Sequence, residues 1–367
     1  MKVAFFVGSL NRGGTEMLLL DMCRKHKSAP FESVVVYRNE GELSKEFQNT
    51  GVSMVRIKPS GLKLGYINSL RRFFKEENID ILHTQTLLNA LLGVFCVLFS
   101  RVKLVASFHG FRYSLINRIY TQLVMRKADA SVFVSGYVKD WYLKHTFLIP
   151  LKRCHVVYNG IDFSKLDNQY DIPDFLSNND LSGIVKLAMV GNFGSGRSQI
   201  LLCRSLNRLV ESGCRNFQFY FVGKCVAASP ELYDNCVSYC EEHHLTEYVH
   251  FVGSRGDVPA ILQNIDGFVY SSRHDTFGIA VIEAIAAGKP TLVNDWVVLK
   301  ETVGEYGWAE MYRSNDENDC CEKIKELIEN IESRKQKAEI YKKEVREKYS
   351  IKTNINNLSV VYNSLFK

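Results

Sequence analysis

Residues 267–290 read Gly-Phe-Val-Tyr-Ser-Ser-Arg-His-Asp-Thr-Phe-Gly-Ile-Ala-Val-Ile-Glu-Ala-Ile-Ala-Ala-Gly-Lys-Pro, with carboxylates at Asp275 and Glu283. The run Gly267–Ser271 has the short apolar character of a buried strand, and the apolar stretch from Ile279 has helical length. On an α/β scaffold Asp275 then sits on the loop leaving the strand. Glu283 is expected about two turns into the helix, on its inward side. The helix start would present backbone N–H groups at Phe277, Gly278 and Ile279, where the macrodipole favours a phosphate. One carboxylate could accept hydrogen bonds from a ribose diol and the other from sugar hydroxyls. A plain strand–loop–helix with a capping Asp and a surface Glu is the bland alternative. It leaves unexplained both Gly278 and a Glu within Ile-Ala-Val-Ile-Glu-Ala-Ile, where a carboxylate is costly unless hydrogen-bonded.

The D-x7-E spacing resembles the E-x7-E signature of retaining glycosyltransferases of the GT-B fold, the family 4-like or group 1 enzymes. That group includes bacterial polysaccharide, sucrose and phosphatidylinositol mannosyl enzymes. The resemblance implies two Rossmann-like α/β domains facing a central cleft and a nucleotide diphosphate sugar, with UDP-sugar expected, as co-substrate. Glu283 would hold the ribose and Asp275 the donor sugar, with one methylene less reach than Glu.

The chain has 367 residues, 46% hydrophobic and 23% charged, which suits a globular protein of two domains. Met1 leads directly into the strand-like Lys2–Gly8, so no signal peptide is expected. The longest apolar run, Leu87–Phe99, is too short for a bilayer, for which ~18 residues are needed, and reads as a buried helix. Ten cysteines without C-x-x-C pairing fit reduced thiols and a cytoplasmic location, and no zinc site is expected. Residues 1–160 carry 23 Lys and Arg against 11 Asp and Glu, a net of +12; the remainder carries 23 against 29, a net of −6. The basic half fits either an anionic membrane surface at the inner face, a phosphate-bearing acceptor, or an ordinary solvated surface. Nothing points to nucleic acid.

Strand-like segments alternate with helical ones through two series. The first holds Lys2–Gly8, Ser33–Arg38, Val52–Ile57, Ile79–Thr84, Lys103–Phe108, Ser131–Val134 and His155–Tyr158. The second holds Val185–Val190, Phe217–Val222, Tyr248–Val252, Gly267–Tyr270, Thr291–Val293 and Trp308–Met311. Residues 1–160 are expected to form an acceptor domain and 161–350 a donor domain, with 159–183 as linker. The resemblance has the final helix, within 351–367, pack back on the first domain.

Ligands in open α/β sheets bind beyond the carboxyl ends of strands, so residues following strands matter most. Gly13 and Gly14 precede a helix start in Gly-Gly-Thr-Glu, which is either a flexible turn or a place where a phosphate approaches the backbone. The resemblance assigns this loop to the donor's phosphate and sugar. His109 follows a strand and has either a structural role or, by the resemblance, a place beside the anomeric carbon; His83 is a weaker candidate. The loop Gly191-Asn192-Phe193-Gly194-Ser195-Gly196-Arg197 departs from the dinucleotide fingerprint. Where the family has an Arg, this chain has Asn192. Arg197 is the expected diphosphate cation, since stabilising the leaving group is commonly the largest catalytic contribution. The missing cation leaves room for a loop that closes only on donor binding. Gly253 and Ser254 end another strand, where the family holds the base. Asn159-Gly-Ile-Asp162 resembles the family's structural linker motif. No D-x-D metal motif occurs, so the protein itself is expected to neutralise the diphosphate.

The resemblance therefore implies a metal-independent hexosyltransferase that moves a sugar to a saccharide or lipid-linked saccharide during surface polysaccharide synthesis. Two rivals share the scaffold: a nucleotide-sugar 2-epimerase, and a nucleotide-sugar-binding protein without transferase activity.

Overall fold

A computed structural model of the chain describes residues 1–58, 63–111, 113–177 and 183–367. Part of the linker segment, 178–182, and Arg112 lie outside the described residues. The chain divides into two compact units, Met1–Asp162 with Tyr349–Lys367, and Phe163–Lys348.

The first unit is built on a seven-stranded parallel sheet. Its strands are β1 (Lys2–Ser9), β2 (Glu32–Asn39), β3 (Ser53–Arg56), β4 (Ile81–Thr84), β5 (Lys103–Phe108), β6 (Ala130–Phe133) and β7 (Cys154–Val156), in the order β3-β2-β1-β4-β5-β6-β7. Apolar side chains alternate to two faces, as the pleat requires. Val3, Phe5 and Val35 enter one core, and Ala4, Phe6 and Val36 enter the other. The first core also takes Ile351, Ile355, Leu358, Val361 and Tyr362 from the helix Ile351–Ser364. Its entry explains the Asn-Gly-Ile-Asp motif. A Cβ on Gly160 would lie 2.7 Å from the Cα of Ile351. The backbones of Ile161 and of Tyr349 and Ile351 are hydrogen-bonded, and Asn354 Nδ2 donates to the Tyr158 carbonyl.

The second unit has a six-stranded parallel sheet, β8 (Val185–Val190), β9 (Phe217–Val222), β10 (Val249–Gly253), β11 (Gly267–Tyr270), β12 (Thr291–Asn294) and β13 (Glu310–Tyr312), ordered β10-β9-β8-β11-β12-β13. This is the doubly wound order with its switch point between β8 and β11. Central strands β8, β9, β11 and β12 are nearly continuous apolar runs because both faces are covered.

Leu87–Val97 is a helix, yet not a wholly buried one: Leu88 and Phe95 are exposed while Gly93 packs on the Leu104 side chain. Among the described residues no helix is long and apolar enough to cross a membrane. All ten cysteines are free thiols.

Candidate functional site

The candidate site is built at the switch-point strands of the second unit. β11 ends at Tyr270, and the following loop folds back so that Ser272 Oγ accepts from the Asp275 backbone N–H at 3.1 Å. Asp275 is thereby turned inward and is only 9% exposed. Its two carboxylate oxygens have separate partners. Oδ1 meets Arg197 Nη1 at 2.7 Å, and Oδ2 accepts from the Tyr270 hydroxyl at 2.7 Å. The Asp275 carbonyl accepts from Trp296 Nε1, which reaches over from the end of β12.

Arg197 arrives on the glycine loop after β8. Gly191 gives it room: a Cβ there would lie 3.2 Å from Arg197 Nε. The guanidinium carbon stands 5.2 Å from the Tyr270 ring centroid, so Tyr270 supports both members of the ion pair. Burial works against the Arg197 charge, but Tyr270 and Asp275 outweigh it and hold its pKa above the ordinary value. Burial, then the Asp275 charge, pushes the Tyr270 hydroxyl well up, so it remains a donor. Arg197 Nε and Ser198 Oγ are buried without a hydrogen-bond partner.

In this conformation the loop is held by several hydrogen bonds of the chain itself. Ser198 N–H donates to Ser271 O, Arg273 N–H to Gly196 O, and Ser272 Oγ to Gly196 O. Gln199 Nε2 donates to the Gly191 and Asn192 carbonyls, and Asn192 Oδ1 accepts from the Lys224 N–H. Asn192, at the place of the missing cation, thus pins the loop. The loop conformation is set by the chain's own hydrogen bonds.

The helix after Asp275 spans Ile279–Ala286. Gly278 is its N-cap in the left-handed region, with φ 87° and ψ 49°, and a Cβ there would lie 2.8 Å from Leu299 Cδ2. The left-handed backbone favours glycine, and a larger residue would also have to displace the Leu299 side chain. Phe277 is buried beneath the helix start, whereas Ile279 is exposed. Because the helix begins at Ile279, Glu283 lies one turn in, not two. It is half-buried, on the same stripe as Ile279, Ala280 and Ala287, the least buried face of the helix rather than its inward one. The first-turn N–H groups at Ile279 and Ala280 have no intrahelical acceptor, as at any helix start.

Gly253 ends β10 with φ 72°, and its carbonyl accepts from Gly223 N–H; Ser254 beyond it is exposed. In the first unit, Gly13 caps the helix Gly14–Arg24 in an extended conformation, and Thr15 Oγ1 donates to Glu16. His109 follows β5, is half-buried, and its Nε2 is 2.7 Å from Gln85 Oε1; burial pushes its pKa down to about 4. His83 is no site residue. Its Nδ1 meets the Tyr362 hydroxyl at 2.5 Å and its Nε2 meets Ser107 Oγ at 2.7 Å, and burial, with His109 adding, pushes it down to about 3. It is a satisfied core histidine that ties the last helix to the sheet.

The structure therefore brings Asp275, Arg197, Gly191 and the Gly278 helix start together, and leaves Gly13, Gly14 and His109 on the other unit. Tyr270, Ser272, Trp296 and Gln85 were missed. Each lies at or just beyond a strand's carboxyl end, a positional signal available in the sequence. Among the described residues no three His, Cys, Asp or Glu side chains are grouped to hold a metal ion.

Residues 12–165 match the family model for Glycosyltransferase Family 4, and residues 178–344 match that for Glycosyl transferases group 1. The chain is 22% identical over 323 residues to the O-antigen biosynthesis glycosyltransferase WclY of Escherichia coli, covering 82% of each. It is 23% identical over 239 residues to the Escherichia coli UDP-Gal:alpha-D-GlcNAc-diphosphoundecaprenol alpha-1,3-galactosyltransferase, covering 62% of this chain and 60% of that one. The Anabaena protein Alr3699/HepE in complex with UDP superimposes with a TM-score of 0.85 at 17% identity, covering 99% of this chain and 100% of that one. The likeness to HepE is one of fold.

Proposed function

Because this chain belongs to the group 1 glycosyltransferases of the GT-B fold, we propose that it transfers a hexose from a UDP-sugar to a lipid-linked saccharide in bacterial surface polysaccharide assembly, with retention of anomeric configuration. The observation that carries this reading is the Arg197–Asp275 pair between β8 and β11, set beside the Gly278 helix start. A cation, a carboxylate and free helix N–H groups converge where a diphosphate joined to a sugar needs all three. In this reading Arg197 and the first-turn N–H groups take up the charge of the departing diphosphate without a metal ion. Each Asp275 oxygen keeps a lone pair for a sugar hydroxyl. Glu283 accepts from the ribose hydroxyls, and Gly253 and Ser254 border the base. Gly13 and Gly14 approach the phosphate, and His109 serves the reacting sugar as a neutral imidazole. UDP as the nucleotide is supported by the complexes of HepE with UDP and with UDP-glucose. The acceptor class is supported by the galactosyltransferase relative, whose acceptor is a saccharide on diphosphoundecaprenol.

A panel of UDP-, GDP- and ADP-sugars tests the donor by thermal shift, since a ligand of the folded state stabilises it by RT ln(1 + [L]/Kd). The stabilising donor is then incubated alone and with a lipid-diphosphate saccharide. Transfer, with slow hydrolysis in its absence, is expected. Conversion of the donor to its C2 epimer, or an intact donor under both conditions, rejects the proposal in favour of an epimerase or a binding protein.

A further inference from the structure

The helix Leu115–Lys127 in the first unit carries apolar residues on its outward face as well as on its buried one. Thr121, Val124 and Met125 face the core, as a buried stripe should. Its outward face carries Leu115, Ile116 and Ile119, which with Tyr113, Phe147 and Leu148 are between 59% and 77% exposed. These residues form one surface. Gln122, one turn beyond Ile119, donates to the Phe147 carbonyl at 2.7 Å and accepts from its N–H at 2.9 Å. The Tyr113 ring is 5.3 Å from that of Trp141 on the helix Gly136–Lys144, which leads into the Phe147 loop. Leu148 is held at φ 52°, a costly conformation for a branched side chain, and presents its isobutyl group to solvent. Contiguous exposed apolar surface of this kind marks an interaction site.

The charge around it selects the partner. Residues 81–160 contain ten Lys and Arg against two Asp and no Glu. Arg118, Arg126, Lys127, Lys144 and Lys152 are exposed on this helix or on the helix and loop tied to it. A two-fold contact between copies through this patch would set two basic rims against each other. Apolar and aromatic side chains within a basic rim match a bilayer instead: the former enter the headgroup boundary and the latter meet anionic lipid. We propose that this surface docks the protein on an anionic bilayer. It begins four residues beyond His109, and Tyr142, on the same supporting helix, donates to the Gly110 carbonyl at 2.6 Å. Docking therefore holds the His109 loop at headgroup level, where the saccharide of a lipid-linked acceptor stands; this last step rests on the proposed function.

The test uses the whole chain and vesicles of phosphatidylglycerol with phosphatidylethanolamine, against vesicles of phosphatidylcholine, without donor or acceptor. Wild type should co-sediment with the anionic vesicles at low salt and less so as salt rises, because screening shortens the field. The triple variant Ile116→Gln, Ile119→Gln, Leu148→Gln should keep its Tm and lose at least about tenfold in partitioning. Arg118→Gln with Lys144→Gln should weaken binding at low salt and flatten the salt dependence. Wild-type partitioning by the triple variant overturns the proposal, and so does absence of wild-type binding to anionic vesicles at low salt. A wild-type dimer that the triple variant dissociates also overturns it, since a second copy then covers the patch. Binding is read without turnover. A protein that docks yet fails to transfer to lipid-linked saccharides strikes only at the functional reading, and one that transfers without docking strikes only at this surface.

Discussion

Arg197 and Asp275, 78 positions apart in sequence, are joined by a 2.7 Å ion pair whose carboxylate is further held by the Tyr270 hydroxyl. The two residues proposed to bind opposite ends of the donor's sugar–phosphate bond are thus already oriented by one another. Their separation in sequence is closed by the adjacency of β8 and β11 in the sheet.

Arg197→Ala should leave a nearly buried carboxylate without its cation. The expected loss is about 2–3 kcal/mol of stability, at the lower side for breaking a buried pair because the guanidinium is partly exposed. kcat/KM should fall sharply while uridine binding is retained. Arg197→Ala with Asp275→Asn should recover stability but not transfer. Calorimetry and steady-state kinetics on the three proteins check this, and equal loss of uridine and UDP binding would falsify the phosphate assignment.

Tyr270→Phe keeps the ring beneath the guanidinium and removes one hydrogen bond to a charged acceptor, expected to cost about 1.5–3 kcal/mol. If Tyr270 positions Asp275, kcat should drop more than UDP affinity. A KM-only effect on the donor would argue against that role.

Gly278→Ala meets both a left-handed backbone and the Leu299 side chain. A penalty on the order of 1–3 kcal/mol is expected from the backbone conformation alone, visible as a lowered Tm. A neutral substitution would show that the helix start can shift.

Glu283→Ala should weaken UDP binding by about 1–3 kcal/mol and leave the fold unchanged, given its half-exposed position. His109→Ala should cut transfer about a hundredfold or more, roughly 3 kcal/mol in the barrier, with UDP affinity nearly unchanged. Near-normal transfer by the His109 variant would make the histidine structural.

The buried His83 and the half-buried His109 both bear on pH stability. Their folded pKa values, about 3 for His83 and about 4 for His109, lie below the ordinary 6.5. Between those limits the unfolded chain binds more protons, so stability rises with pH. The stabilisation is fully present above about pH 6.5 and is lost as pH falls through about 4 to 3. Denaturant midpoints from pH 7 to pH 4 should decline in wild type and decline less in His83→Gln. For the same reason the pH profile of transfer should lack a His109 titration near 6.5.

Much of this architecture was legible because parallel strands buried on both faces read as apolar runs, and every strand lies at or within two residues of its expected span. The D-x7-E segment was legible because its glycine and carboxylates are locally unusual. The helix start was not: Gly278 caps in a left-handed conformation, so the helix begins at Ile279 and Glu283 lies one turn from its start instead of two. Nor was the ion pair. Arg197 and Asp275 meet through strand order and through the room left by Gly191, neither of which has a local sequence signature. His83 misled because a strand-end position is shared by ligands and by core residues. Only the arrival of Tyr362 from the last helix distinguishes them.

That arrival also orders the protein's birth. The core holding Val3, Phe5 and Val35 is completed by Ile351, Ile355, Leu358 and Tyr362, so these strands wait for a helix that is synthesised only after the second unit. During translation the second unit, Phe163–Lys348, has all its residues first and can close while the first still lacks a wall. A nascent chain stalled before residue 349 would therefore be a vulnerable species, with an apolar sheet face open to chaperones and proteases. For this protein, closure of the first unit's core follows translation of the whole second unit.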